Sequence, residues 1–366
     1  MAVDWTKSMR QTYEYYIVDP ITWDDKSLYD LVTDSTIKRD LKNETLGSAQ
    51  INCSKALPEC YIRVYLVVEQ NNETHKECLG TFLCQTPGES FDGRVSKVSV
   101  DAYTPLTELK EKSPPIGYYL ASGTNILQTV YRIVRENARA PVVEPFDIKT
   151  LSDGFVSELN DTWFSYLNDL LAYCNYRFDL DDYSRIIFAP EQDPSSLRPV
   201  WTYDDGNSSI LFPNADLDRD LYGIPNVVEI VYSMDKFVFV ARAVNDDPGS
   251  PVSTVNRGRE VVSRQVNPDI LGAPEKSKHM TEEEKAAFQI VLDNYARQEL
   301  RNASSLECTL TYSHGYNTVR PGDCVEFNYS RSGFERVKAK VISQSISCVT
   351  GCKVEETAVY TNKLWG

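Results

Sequence analysis

The sequence predicts a β-rich α+β protein: an antiparallel β-domain, then a small α/β unit, then a second β-domain that encloses one long helix. Three observations predict it. Alternating apolar and polar runs dominate both ends of the chain, the period becomes helical between about 117 and 200, and one capped helical stretch interrupts the closing strands.

The first domain rests on Tyr13–Val18, Ser48–Cys53, Tyr61–Val68, Leu79–Leu83 and Arg94–Tyr103, each alternating with period two. Turn residues such as Asn71-Asn72 and Thr86-Pro87-Gly88 bound these runs, so residues 10 to 110 read as an antiparallel sheet or barrel. Ser113-Pro114-Pro115-Ile116-Gly117 interrupts the alternation and closes a first domain over 1–112. Ile126, Val130, Ile133 and Val134 then recur at helical spacing, with Ser122 or Thr124 as cap candidate and a stop near Ala140-Pro141. A second helix carries Trp163, Leu167, Leu170 and Leu171 and leads into strands Tyr176–Leu180 and Arg185–Pro190, giving a small α/β domain over 113–202. Past the polar loop Tyr203–Ser209, strand character returns in Asn226–Tyr232 and Phe237–Ala243. Thr281 with Glu284 forms a capping box for a helix over about 281–302, with Ala287, Ile290, Val291, Tyr295 and Leu300 on one face. Leu306–Tyr312, Asp323–Tyr329 and Arg336–Ser347 complete a second β-domain over 203–366.

Composition narrows the function. The 53 acidic against 38 basic residues leave a formal charge of -15, which repels a phosphate backbone and argues against a sequence-reading nucleic-acid binder. That acidity suits either a surface charged for solubility or a lumen past which nucleic acid slides without sticking. No apolar run approaches the roughly 20 residues that a bilayer core demands, and Met1–Arg10 has no apolar signal region, so we expect no membrane segment and synthesis in the cytoplasm. The nine cysteines are not needed as a disulfide scaffold in a chain of 366 residues. The close pairs Cys53/Cys60, Cys78/Cys84 and Cys348/Cys352 lack the C-x2-C spacing of a zinc knuckle, and His75 with Cys78 and Cys84 lacks a fourth ligand nearby. The thiols are expected to pack as small apolar groups, and no metal or cofactor is expected.

Catalytic motifs are missing: no nucleophile elbow, Walker loop, zincin helix or dinucleotide fingerprint occurs. Of the three histidines, His314 sits beside Gly315 as in an exposed turn and His279 lies in the charged lead-in to the long helix. A glycosidase needs only two positioned carboxylates. The aspartate clusters at 179–182, 204–205 and 216–220 have turn composition, where aspartate is favoured for bonding its own backbone, and 216–220 lacks the glycine and distal glutamate of a calcium loop. The chain is therefore expected not to be an enzyme. Asn245–Thr254 is a long loop without apolar periodicity, followed by Arg257-Gly258-Arg259, whose guanidinium groups suit bidentate contacts with carboxylates of a neighbouring subunit.

Four segments taken in order carry a resemblance. They are Ser35–Leu41 leading to Leu46–Ala49; Thr162-Trp163 through Leu170-Leu171 to Asn175–Phe178 and Ile187–Pro190; Gly223–Val228; and the loop from Asn245 to Arg259 with Pro248, Pro251 and Thr254. In these the chain resembles the baseplate hub, or tail-tip hub, proteins of long-tailed bacteriophages and related contractile particles. The resemblance implies two tube-like antiparallel β-barrel domains with the α/β domain between them. It implies a homotrimer whose pseudo-sixfold ring joins the tail tube protein to a threefold spike or tail-tip protein, meets the tape measure protein and lets DNA pass its lumen. Assembly contacts are expected at Arg257, Arg259, Pro251 and Thr254, and at tails carrying Trp5 and Trp365. The place implied is the virion tail, reached from the host cytoplasm during assembly. Some relatives append a peptidoglycan-cleaving domain, and none is expected after Lys363–Gly366. A tail-tip glycosidase and a cell-surface-binding adhesin module are the other functions weighed: the first clears peptidoglycan unaided, and the second shows exposed aromatic platforms.

Overall fold

The structure is a computed structural model and describes all residues except 1–2, 56, 92, 94–95, 193–195, 235, 271–272, 275–279, 330–333 and 366. The chain divides into two compact units, one of Met1–Asp216 with Thr311–Ala358 and one of Leu217–Leu310 with Val359–Gly366.

In the first unit the opening strands are β1 (Arg10–Val18), β2 (Asp25–Leu28), β3 (Val32–Asp40), β4 (Gly47–Cys53), β5 (Cys60–Gln70), β6 (Glu73–Phe91) and β7 (Ser96–Tyr103). They pair antiparallel in the order β3-β4-β7-β6-β5-β1-β2. The expected sheet over 10 to 110 is thus present. Its strongest strand departs from simple alternation, because β5 is buried almost without a break. Period two explains this if both faces are covered. Ile62, Val64, Leu66 and Val68 enter one core with Ile37, Ile51 and Val100, while Tyr61 enters a second core with Trp23, Val18 and Leu83.

That second core is supplied by the α/β segment: α1 (Thr107–Lys110), β8 (Tyr119–Leu120), α2 (Ile126–Asn137), β9 (Phe155–Val156), α3 (Trp163–Tyr173), β10 (Tyr176–Leu180) and β11 (Ile186–Pro190). The anticipated stripes are the ones that bury, Ile126, Val130, Ile133 and Val134 on α2 and Trp163, Leu167, Leu170 and Leu171 on α3. The α2 cap is neither Ser122 nor Thr124; Asn125 accepts from the Gln128 amide at 3.3 Å, since it is the residue next to the first helical turn. At Gly80 the β5–β6 pairing skips a residue, φ is +146° and an added Cβ would lie 2.7 Å from the Phe82 ring, so glycine alone fits.

Later strands join the same sheet. After β12 (Pro199–Asp204), the segment β18 (Cys324–Tyr329) pairs parallel with β12 and antiparallel with β19 (Phe334–Cys348), and β19 pairs antiparallel with β3. With β13 (Leu211–Arg219), β17 (Ser305–Gly315) and β20 (Lys353–Lys363), the path runs β13-β17-β20-β19-β3 and onward to β2. Among the described residues this path is open, with β13 and β2 at its ends.

The second unit is built on β14 (Val227–Ser233), β15 (Val238–Val244), α4 (Thr254–Arg257), β16 (Val262–Val266) and α5 (Glu282–Ala303). Strand β14 pairs antiparallel with β15 and parallel with β16, and α5 covers one face of this sheet. The Thr281–Glu284 capping box forms as expected, with both reciprocal bonds present. The buried face of α5 keeps Leu300 and the partly buried Tyr295 of the expected one but is otherwise shifted: Phe288, Leu292 and Ala296 are buried, whereas Ile290 is 62% exposed and Val291 41%. Apolar residues lie on two stripes of this helix, and the aromatic pocket of Tyr232 and Phe239 selects the one that carries Phe288. Trp5 is likewise no free tail residue; it is buried in the sheet core with its ring 5.1 Å from that of Tyr316.

Candidate functional site

The loop singled out in the sequence proves to be a tied knot built on two asparagines, Asn226 before β14 and Asn245 after β15, both wholly buried. Asn226 Nδ2 donates to the carbonyls of Val252 and Arg259, at 3.1 and 3.0 Å, and its Oδ1 accepts from the Val261 amide at 2.7 Å. Asn245 Nδ2 donates to Ser250 Oγ at 2.9 Å, and its carbonyl accepts from the Thr254 amide and hydroxyl. Ser253 caps α4 by accepting from the Asn256 amide, and Gly258 ends it at φ +64°. Val252 anchors the knot in a small core with Ile224, Leu306 and Cys308.

The four residues marked for assembly thus have different surroundings. Arg257 is half-buried and spends its fork within the chain, donating to the carbonyls of Ile224 and Leu221, each at 2.7 Å. Thr254 is tied to Asn245, whereas Pro251 and Arg259 are exposed. Sequence reasoning missed the asparagines; the available signal was Asn226 directly before an alternating run and Asn245 directly after one. Replacing Asn226 with alanine strands an amide and two carbonyls, so we expect the second unit to lose about 2 kcal/mol, read by chemical denaturation.

The face of this three-stranded sheet opposite α5 is uncovered. Strand β15 alternates, so Phe239, Ala241 and Ala243 are buried, while Val238 is 65% and Val240 56% exposed. Val231 stands between Val240 and Val266 in the registers, making an apolar row. Beside it runs a charged row in which Glu229 pairs with Arg242 at 3.4 Å and Arg264 at 2.6 Å, and Arg242 reaches Glu260 at 2.5 Å. The knot exposes Pro251 and Arg259, and the sheet face exposes Val238, Val240 and the paired charges.

Of the groups the sequence singles out for acid–base chemistry, His314, Asp181, Asp182 and Asp204 are engaged within the chain. His314 lies in β17, not in an exposed turn, and is fully buried. Gly315 continues the strand, so the glycine marks no turn here. The His314 Nδ1–H donates to the Gly315 carbonyl at 2.6 Å, and Nε2 lies 3.2 Å from Glu356 and 3.1 Å from Tyr203 Oη. Glu356 also accepts from the hydroxyls of Tyr312 at 2.5 Å and Tyr203 at 3.2 Å, and from the Gln344 amide. Burial would raise the Glu356 pKa, but the charge of His314 and the donated hydrogen bonds outweigh it and hold it below the ordinary value. Asp181 binds the Tyr183 and Arg185 amides of its own turn, Asp182 pairs with Arg320, and Asp204 accepts from the Gly206 amide. Asp216 and Asp218 are not in a turn but on strand β13, where alternation exposes both. His279 lies outside the described residues. Among the described residues no group of three His, Cys, Asp or Glu is placed to hold a metal ion.

Solved tail proteins share the fold of this chain. In particular, the structure is similar to the tail protein from Neisseria meningitidis MC58, with a TM-score of 0.60 at 11% identity over 97% of this chain and 98% of that one. It is equally similar to the 43 kDa tail protein of prophage MuSo2 from Shewanella oneidensis, with a TM-score of 0.60 at 12% identity over 95% and 98%. A chain of the Francisella PdpA–VgrG complex aligns at a TM-score of 0.54 and 9% identity, covering 97% of this chain and 53% of that one. No protein-family model and no curated protein sequence matches the chain.

Proposed function

We propose that the chain is a structural hub subunit of a bacteriophage tail or tail-like particle and has no catalytic role. The observation that carries this reading is the likeness to two tail proteins from end to end, at a TM-score of 0.60 with nearly all of each chain covered. Three subunits form a ring, each contributing two tube-like β-domains drawn from the opening strands and from those after residue 203. The ring adapts the sixfold tail tube to a threefold spike or tip, meets the tape measure protein, and passes DNA along an acidic wall. The net charge of -15 supports the last step, since an acidic lumen does not hold phosphate. The open sheet path supports the ring, because uncovered strand edges and faces are what neighbouring subunits complete.

The knot and the valine face of the second unit are the surfaces assigned to subunit contact, with Arg259 and Pro251 facing outward and Arg257 and Thr254 holding the platform. Native mass measurement should return a trimer, and low-resolution imaging a ring with a central channel; a stable monomer at micromolar concentration refutes the reading. Arg259→Glu should weaken the trimer about tenfold or more, about 1.4 kcal/mol, with unchanged unfolding. Arg257→Ala should instead lower the unfolding free energy by about 1–2 kcal/mol, since two backbone carbonyls lose their donor. Purified protein should leave peptidoglycan intact, which separates this reading from a glycosidase.

A further inference from the structure

Cys60, the first residue of β5, stands directly opposite Cys84 of β6 in the antiparallel register. Directly opposed residues have Cα atoms about 4.5–5.5 Å apart, inside the window of about 4.4–6.8 Å that a disulfide requires. Directly opposed side chains stand on the same face of the sheet, so the two thiols meet across the strands. They differ in access: Cys60 is half-buried at the rim of the sheet core, while Cys84 is 2% exposed within it. The neighbouring Cys84 holds the Cys60 thiol below its ordinary pKa, while Cys60 and burial push the Cys84 thiol up. No other described cysteine joins these properties. Cys174 is half-buried but bonds the Leu171 carbonyl, and Cys348 and Cys352 are both buried. Cys53 lies close to the pair but is 3% exposed, and burial raises its thiol.

We infer that Cys60 and Cys84 form a thiol–disulfide exchange site, which a small disulfide of the glutathione class closes into a reversible staple between β5 and β6. The Cys60 thiolate attacks one sulfur of the small disulfide; that S–S bond breaks, and the departing thiolate takes up the proton that Cys60 released. Cys84 then loses its proton and attacks Cys60 Sγ, the mixed disulfide breaks, and the second small thiol leaves carrying that proton. The protein's two thiols are oxidised by two electrons, and one small disulfide is reduced to two thiols. Access assigns the order, since only Cys60 is open to the incoming disulfide. The staple falls at the base of the β5–β6 hairpin, opposite its Asn71-Asn72 turn.

The test uses the folded full-length protein incubated with glutathione disulfide, alkylated and mapped without reduction. The expected product is a Cys60–Cys84 linkage, a mass loss of two hydrogens, and a melting temperature raised by several degrees that dithiothreitol restores. In the wild-type protein Cys60 should react about tenfold faster than Cys174; Cys84→Ala should stop at a glutathione adduct on Cys60, and Cys60→Ser should give neither product. A dominant Cys53–Cys60 linkage, or modification of Cys60 no faster than of Cys174, overturns the inference. If Cys84→Ala does not fold, the wild-type map decides alone: the 60–84 linkage supports the site and its absence removes it.

Discussion

Glu356→Gln should destabilise the first unit by about 3–5 kcal/mol, read as a lower midpoint in chemical denaturation with little change in slope. Glu356 is 1% exposed and ties β20 to its neighbours by accepting from Tyr203, Tyr312 and Gln344 beside His314. An amide keeps the shape but removes the charge that faces His314 and turns one acceptor into a donor aimed at other donors. The same cluster sets a pH dependence. The Glu356 carboxyl is held below its ordinary value of 4.5 in the folded chain, so its stabilisation is present above that value and lost as pH falls through the folded pKa. Wild-type stability should therefore decline in acid more steeply than that of Glu356→Gln, and parallel curves for the two would show that the cluster does not hold this charge.

Arg63→Met should cost about 3–4 kcal/mol, more than a truncation of similar volume elsewhere on β5. Arg63 is 3% exposed on the face of β5 that meets the α/β segment. It donates to Thr81 Oγ1 at 2.8 Å, to Asp25 at 2.8 Å and to the Trp23 carbonyl at 2.9 Å, and its guanidinium lies 5.2 Å from the centre of the Tyr183 ring. Thr81 in turn donates to the Tyr183 carbonyl at 3.0 Å. Methionine fills the space yet leaves the Trp23 carbonyl without this donor and the Asp25 carboxylate with the Tyr65 hydroxyl but no counter-charge from Arg63. Arg63→Lys should recover only part of the loss, because one ammonium cannot reproduce a planar fork. A cost below about 1 kcal/mol for Arg63→Met, measured by urea unfolding, would show that water replaces the guanidinium there.

Local pattern carried much of the fold. The alternating runs became strands, the apolar stripes of α2 and α3 became their buried faces, and Thr281 with Glu284 became a capping box. Each depends on neighbours within about one turn or one pleat, which is why composition and spacing sufficed. Failures cluster where a residue's surroundings come from far along the chain. The Tyr312–Tyr316 segment looked like a turn, yet His314 is buried because Tyr203 and Glu356, 111 residues before and 42 after it, close around it. For α5, two stripes were equally apolar, and only the sheet it met could choose between them.

The candidate site divides in the same way. That Asn245 to Arg259 is a loop with two arginines is written in its residues. Which arginine faces outward is not, because the answer is set by the carbonyls of Leu221 and Ile224, more than thirty positions upstream. Spacing in a linear chain encodes periodicity, capping and charge, and these determined the strands, the helices and the acidic balance. Partners in three dimensions are added by packing of remote segments, and so the pairing of β19 with β3, the two-faced burial of β5, the Asn226–Asn245 knot and the meeting of Cys60 with Cys84 were decided by tertiary structure alone.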